Sequence, residues 1–161
     1  MKTFFNMLGP LVNPVQPTHQ LFGTFDLELS RLYQYIMQET GRRYSIVYAL
    51  DGYDEVSLTG PFRLRTKESD TIFKPQDLKA PQLEQQDLHG GDTPEEAAHI
   101  FRAVLDDTAT EAQKAVVVAN AGLAIQCLRP EQSLSDCMAE ARESIESGSA
   151  RRTLDQLIAM K

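Results

Sequence analysis

The sequence lacks long apolar runs, cysteines at metal-binding spacing and a secretory leader. No apolar run of the 161-residue chain approaches the roughly 20 residues that cross a bilayer. Residues 1–6 lack the apolar core and small-residue cleavage site of a signal peptide. The only cysteines, Cys127 and Cys137, fall on predicted helices without metal spacing, so we expect two reduced, buried thiols. These absences predict a cytoplasmic protein with no membrane partner.

The chain also lacks an excess of positive charge. It carries 16 Lys and Arg against 23 Asp and Glu, a formal net charge of −7. Binding to a nucleic-acid backbone requires a basic face, so this balance predicts no nucleic-acid partner. It leaves open a small phosphorylated ligand that is held together with a metal ion.

The first half of the chain predicts a strand–helix–strand unit. Residues 20–25 are typical of a short strand, and Asp26 is a favourable N-cap for the helix that follows. Gly41 ends that helix as a C-terminal glycine. Residues 44–50 form a nearly continuous, β-branched apolar run of the kind found in buried parallel strands. The helix shows apolar residues at helical spacing: Leu29, Leu32, Tyr33 and Ile36.

The second half predicts one further strand, around residues 62–65, then polar surface loops over residues 67–91, and helices to the end. Thr93 and Glu96 form a capping box with Pro94 at the first helical position. The predicted buried face of this helix comprises Ala97, Ile100, Phe101 and Val104. The next helix, over residues 112–128, is apolar almost all round, which is typical of a central helix. The predicted fold class is α/β: a partial, mainly parallel sheet with flanking helices and a helical C-terminal section, in one domain over residues 1–161.

Two adjacent carboxylates are the sharpest candidates for a site. Asp54 and Glu55 follow the predicted strand at residues 44–50, at the edge where open α/β sheets place ligands. Mg²⁺ prefers oxygen ligands and is commonly bound by one or two carboxylates together with substrate phosphates. Taken on the residues alone, such a pair is more often solvated surface. A second candidate is Gly9-Pro10, where glycine permits close approach and proline offers a flat apolar ring, although ordinary turn chemistry also explains it.

Four segments, in order and over essentially the whole chain, resemble the anthranilate phosphoribosyltransferases. Residues 5–14 resemble that family's FNxLGPLxNP segment, and residues 19–23 resemble the strand after it. Residues 51–57, with Thr59-Gly60, are similar to its G-x-DE-x-S segment. The helical region is matched by Gly90-Gly91-Asp92, Pro94-Glu95 and Asn120-Ala121.

The resemblance implies an enzyme that transfers a phosphoribosyl group from phosphoribosyl pyrophosphate to anthranilate in tryptophan biosynthesis. It implies Mg²⁺ as cofactor with Asp54 and Glu55 as metal ligands, and Gly9 and Pro10 at the anthranilate site. The chain resembles the C-terminal portion of the glycosyltransferase-type domain and contains no GTGGD-type glycine-rich loop. We therefore expect the chain alone to be inactive. The family's homodimer is implied for the intact enzyme, through a domain that we expect to be missing here.

Two alternatives stay open at this point. A pyrimidine nucleoside phosphorylase shares the fold, but the LGPLxNP segment and the Asp54-Glu55 pair favour the transferase. A non-catalytic, nucleic-acid-binding relative of the same fold is the other alternative, and the acidic charge argues against it.

Overall fold

The computed structural model describes residues 4–160, apart from the side chains of Phe4 and Asn6. The strands are β1 (His19–Gly23), β2 (Arg43–Ala49), β3 (Phe62–Thr66) and β4 (Asp70–Phe73). The helices are α1 (Phe4–Leu8), α2 (Leu27–Thr40), α3 (Pro94–Leu105), α4 (Glu111–Leu128), α5 (Leu134–Glu146) and α6 (Ser149–Ala159). Short 3₁₀ turns occupy Gly9–Leu11, Pro75–Leu78 and Gln85–Leu88. None of the helices in the described part of the chain is long and apolar enough to cross a membrane.

The predicted strand–helix–strand unit is confirmed. β1 and β2 pair in parallel, with Phe22 opposite Ile46. Asp26 caps α2 by accepting a hydrogen bond from the Leu29 amide at 2.7 Å. Gly41 ends the helix in the left-handed region at φ 67°, a conformation that costs glycine little. The inner face of α2 covers one side of the sheet with buried side chains: Leu29, Tyr33 and Met37.

The sheet is mixed, so the prediction of a mainly parallel sheet is wrong, while the α/β class is confirmed. The strand order is β1-β2-β3-β4, and both pairs after the first are antiparallel. A parallel neighbour for β2 would need a crossover back to the other end of the sheet, usually a helix. Residues 50–61 contain no helix, so the chain returns as an antiparallel strand. β4 lies where surface loops were predicted; none of its four side chains is buried, so no alternating pattern marks it.

α4 covers the other side of the sheet and is the central helix that the sequence predicts. Its Ala115, Ala119 and Leu123 share a core cluster with apolar side chains of β2 and β3. On its far side α4 packs closely on α5: an added Cβ at Gly122 would lie 3.1 Å from the Met138 Cα. The two cysteines are buried free thiols on α4 and α5, as predicted.

α3 begins as predicted but buries less than predicted. The Thr93 hydroxyl accepts a hydrogen bond from the Glu96 amide at 3.2 Å, which confirms the capping box. Val104 is buried in a cluster with residues of α4 and α5, but Phe101 is 56% exposed. Ala97 is exposed too, so the prediction that Ala97 and Phe101 are buried is wrong. Helical periodicity identifies an apolar face, but the extent to which neighbouring elements cover it depends on tertiary packing.

Candidate functional site

The loop that carries Asp54 and Glu55 follows β2 at the carboxyl end of the strand. The Ala49 amide donates to the Tyr53 carbonyl at 3.1 Å, and the Gly52 amide donates to the Ala49 carbonyl at 3.0 Å. Gly52 adopts φ 100°, which favours glycine. This tight turn leaves both carboxylates exposed at the sheet edge.

The end of β1 lies directly against the same loop. A Cβ added at Gly23, the last residue of β1, would overlap the carbonyl oxygen of Asp54. Only a glycine permits this approach of two backbones. The carboxyl ends of the parallel strands β1 and β2 therefore both lie next to Asp54, as expected of a ligand-binding edge in an α/β sheet.

A side chain from α4 holds the loop immediately after Glu55. The Asn120 Oδ1 accepts a hydrogen bond from the Val56 amide at 2.9 Å, and Asn120 Nδ2 donates to the Val56 carbonyl at 2.8 Å. Val56 itself is completely buried. Both backbone groups of the residue that follows Glu55 are therefore satisfied by one amide side chain 64 residues away.

The first carboxylate of the loop, Asp51, is engaged in hydrogen bonds within the loop. Asp51 Oδ2 accepts hydrogen bonds from the hydroxyl of Ser57, at 3.3 Å, and from that of Thr59. The two hydroxyls lie 2.8 Å apart. Asp51 therefore closes the loop on itself and is not available to a ligand in the way that the next two carboxylates are.

Asp54 and Glu55 have the donor chemistry that a hard cation requires. No hydrogen bond or ion pair within residues 4–160 engages either carboxylate. The same residues contain no group of three or more His, Cys, Asp or Glu that could hold a metal ion. Two free carboxylates, completed by oxygens of a phosphorylated ligand, match the way in which Mg²⁺ is commonly bound. The residues present thus fit Mg²⁺ that is shared with a substrate.

Gly9 and Pro10 lie apart from that loop, on the exposed 3₁₀ turn Gly9–Leu11. An added Cβ at Gly9 would meet nothing within 4 Å. The Pro10 carbonyl accepts a hydrogen bond from Gln20 Nε2 at 3.0 Å. Gln20 precedes Gly23 by three residues, or about 10 Å of extended strand. No described contact joins Gly9 or Pro10 to Asp54 or Glu55, so the structure does not bring the two predicted parts together.

An apolar cavity of about 450 Å³ lies beside Glu55, between its loop, α3 and α4. His89 is at its edge, where Nδ1 accepts from the Gly91 amide at 3.2 Å and Nε2 lies 3.2 Å from Asp92 Oδ1. Both ring nitrogens of His89 are therefore engaged by residues of its own turn. The walls are mainly apolar and include Tyr53, Val56, Leu88, Ile100, Phe101 and Val116.

Sequence reasoning assigned no role to Gly23 or Asn120. Asn120 has a usable signal, because an amide in the middle of an apolar helix must satisfy its polar atoms somewhere. Gly23 has no such signal in the sequence, because the contact that requires a glycine there is with the backbone of Asp54, 31 residues downstream.

The fold and the site agree with the similarity of this chain to a known protein family. The family model described as "Glycosyl transferase family, a/b domain" matches residues 1–151, and the chain belongs to this family. Among its relatives is an anthranilate phosphoribosyltransferase of Bacteroides fragilis (strain YCH46), 52% identical over 158 residues. The match covers 98% of this chain and 48% of the relative. The enzyme of that name from Cytophaga hutchinsonii is 52% identical over 150 residues, 93% of this chain and 46% of its own. The chain thus spans about half the length of the curated relatives it matches.

Solved structures show the same fold. Anthranilate phosphoribosyltransferase from Thermus thermophilus superposes with a TM-score of 0.89 at 28% identity, over 99% of this chain and 48% of that one. The Saccharomyces cerevisiae enzyme in complex with phosphoribosyl pyrophosphate and Mg superposes with a TM-score of 0.84 at 24% identity. This second match covers 96% of this chain and 45% of that one. At that identity the likeness to the yeast enzyme shows the fold alone.

Proposed function

We propose that the chain takes part in anthranilate phosphoribosyl transfer, a cytoplasmic step of tryptophan biosynthesis. In this reaction the bond from C1′ of phosphoribosyl pyrophosphate to its pyrophosphate breaks. A bond from C1′ to the anthranilate nitrogen forms, and that nitrogen releases a proton to solvent water. The observation that carries the proposal is the 52% identity, over 98% of the chain, with an enzyme of that name. The exposed carboxylate pair at the sheet edge supports it.

Asp54 and Glu55 hold Mg²⁺ in this proposal, together with oxygens of the pyrophosphate. When bound, the ion would neutralise charge that develops on the leaving group. The chain's own contribution is a pair of available carboxylates on a loop whose backbone is held by Asn120 and by Gly23, and neither carboxylate has to break a protein contact before it binds. A loop backbone that is already held in place needs less reorganisation when the ion binds. The yeast enzyme of this fold has been seen with phosphoribosyl pyrophosphate and Mg, which is compatible with the assignment.

Gly9 and Pro10 belong to the anthranilate site in this proposal. The open space around Gly9 leaves room for a ligand close to the backbone. The exposed ring of Pro10 offers a flat apolar surface for an aromatic acid.

An assay of anthranilate fluorescence tests the proposed reaction. We expect the 161-residue chain alone to consume no anthranilate with phosphoribosyl pyrophosphate and Mg²⁺, since its sequence contains no GTGGD-type loop. We expect turnover when the chain replaces the matching half of the Bacteroides fragilis relative, with which it is 52% identical. A folded but inactive chimera would contradict the proposed function.

The metal assignment has its own test in the same chimera. Asp54→Asn and Glu55→Gln keep side-chain size but remove the charge that a hard cation requires. Each should lower turnover at limiting Mg²⁺, and added Mg²⁺ should partly restore it by mass action. The control is Glu39→Gln, an exposed carboxylate near the end of α2. Unchanged turnover of both loop variants at limiting Mg²⁺ would exclude the metal role.

A further inference from the structure

Asn120 occupies an unusual place in the molecule. It lies on α4 among apolar residues and is half-buried, with Ala119 and Leu123 in the core nearby. Besides its two bonds to Val56, Asn120 Nδ2 donates to the Val116 carbonyl, one turn back, at 3.0 Å. All three hydrogen bonds go to backbone groups, and two of them leave the helix.

The two bonds to Val56 fix the peptide that follows Glu55. The Val56 amide belongs to the Glu55–Val56 peptide, and its carbonyl belongs to the Val56–Ser57 peptide. A single planar amide that engages both groups sets the orientation of each peptide relative to α4. The peptide between Asp54 and Glu55 is confined as well, because the Asp54 carbonyl is packed against Gly23. The backbone of the carboxylate pair is therefore confined at two successive peptides, by β1 at the Asp54–Glu55 peptide and by α4 at the Glu55–Val56 peptide.

We infer that Asn120 is a positioning residue for the Asp54–Glu55 pair. By fixing the backbone of the loop, Asn120 aligns the two carboxylates for a shared cation. The metal part of this inference rests on the proposed function. An asparagine suits the position because Val56 needs one acceptor and one donor in a rigid plane, and the second N–H of the amide serves the Val116 carbonyl. An aspartate would supply only acceptors at neutral pH, and an apolar residue would supply neither. Groups that orient metal ligands in this way change metal affinity when they are removed.

Two variants and one matched control test the inference, on the 161-residue chain for hydrogen exchange and on the chimera for metal affinity. Asn120→Ala removes all three bonds. Asn120→Ser can still donate to the Val116 carbonyl, because serine bonds readily to the carbonyl four residues before it, but it cannot span to Val56. The control is Gln126→Ala on the same helix, where the side-chain amide donates to the Gln132 carbonyl at 3.4 Å, away from the loop. Circular dichroism verifies that each variant is folded.

Two measurements decide the outcome. The first is hydrogen exchange of the Val56 amide by NMR, which should become at least about 10-fold faster in Asn120→Ser while the amides of α4 keep their rates. The second is the affinity for Mn²⁺ in the presence of inorganic pyrophosphate, measured by calorimetry on the chimera with the Bacteroides fragilis relative, which should fall about 10-fold in Asn120→Ser. Gln126→Ala should change neither.

The inference and the proposed function fail in distinguishable ways. Unchanged exchange at Val56 in folded Asn120→Ser would overturn the inference, and so would an equal loss of Mn²⁺ affinity in Gln126→Ala. If the chimera with an unmodified C-terminal half binds no Mn²⁺ with pyrophosphate, the metal assignment of the proposed function is wrong, and the metal role of Asn120 is overturned with it. The exchange data then still decide whether Asn120 holds the loop.

Discussion

At the scale of single residues, two glycines show how differently the same residue type is used. Gly23 ends β1 against the Asp54 carbonyl, where no side chain fits without displacing the backbone. Gly9 lies on an exposed turn, and an added Cβ would meet nothing within 4 Å. The fold of the site requires a glycine at position 23. No protein contact requires a glycine at position 9, so the space there is open to a ligand.

Alanine substitutions at the two positions separate these roles. Gly23→Ala should lower the free energy of unfolding by about 1–3 kcal/mol, because the new methyl group forces the Asp54 loop away from β1. Gly9→Ala should be neutral, or stabilising by up to about 1 kcal/mol, because alanine favours the helical turn. Urea unfolding followed by circular dichroism measures both. Equal effects of the two substitutions would mean that β1 and the loop are not in contact in solution.

At the scale of elements, the hairpin of β3 and β4 contains a buried arginine. Arg65 is only 2% exposed and stands opposite Asp70 in the register. Its Nε lies 3.3 Å from Asp70 Oδ2, an ion pair without the alignment of a hydrogen bond. Arg63 adds hydrogen bonds of 2.6 and 3.2 Å to the two carboxylate oxygens. Burial alone would raise the pKa of Asp70, but the Arg63 hydrogen bond and the charges of both arginines outweigh it and hold the pKa below its ordinary value.

This depressed pKa makes the hairpin sensitive to acid. A carboxylate with a lowered folded-state pKa contributes stability above its unfolded pKa of about 3.9, and that contribution is lost as pH falls through the folded value. Asp70→Asn should therefore destabilise the chain by about 1–2 kcal/mol at pH 7, since solvent screens part of the interaction. The difference from the unmodified chain should shrink as the pH falls below about 4. Urea titrations across this range measure it, and a difference that is independent of pH would contradict the ion-pair explanation.

The same elements show what sequence patterns could and could not predict. The unit from β1 to β2 was predictable because its signals are local: an N-cap at Asp26, a left-handed glycine at Gly41 and a continuous apolar strand. β4 was not, because a short exposed edge strand leaves no periodicity to detect. Within the site, the Asp54-Glu55 pair is visible as adjacent residues. Its attachment to Asn120 spans 64 positions and exists only in the folded chain.

At the scale of the whole molecule, the sheet has two unequal edges. β1 is the outermost strand on one side, and no strand within residues 4–160 pairs with its outer edge. Leu21 of β1 is 38% exposed, and on α2 beside it Leu32 and Tyr35 are 43% and 68% exposed. The opposite edge, β4, has four residues and begins with Asp70, which is engaged by arginines. Unpaired edges with apolar flanks promote association, whereas short, charged edges resist it.

This asymmetry predicts that the 161-residue chain self-associates through β1 rather than through β4. Leu21→Lys places a charge on the β1 edge and should lower the apparent mass in light scattering, because lysine on an edge strand opposes pairing with another strand. The matched control is Ile72→Lys on β4, where the side chain is 50% exposed on the short, charged edge. We expect the control to leave the association unchanged, with both variants folded by circular dichroism. A monodisperse monomer for the unmodified chain, or an equal response to the two lysines, would show that the open edge of β1 does not control assembly.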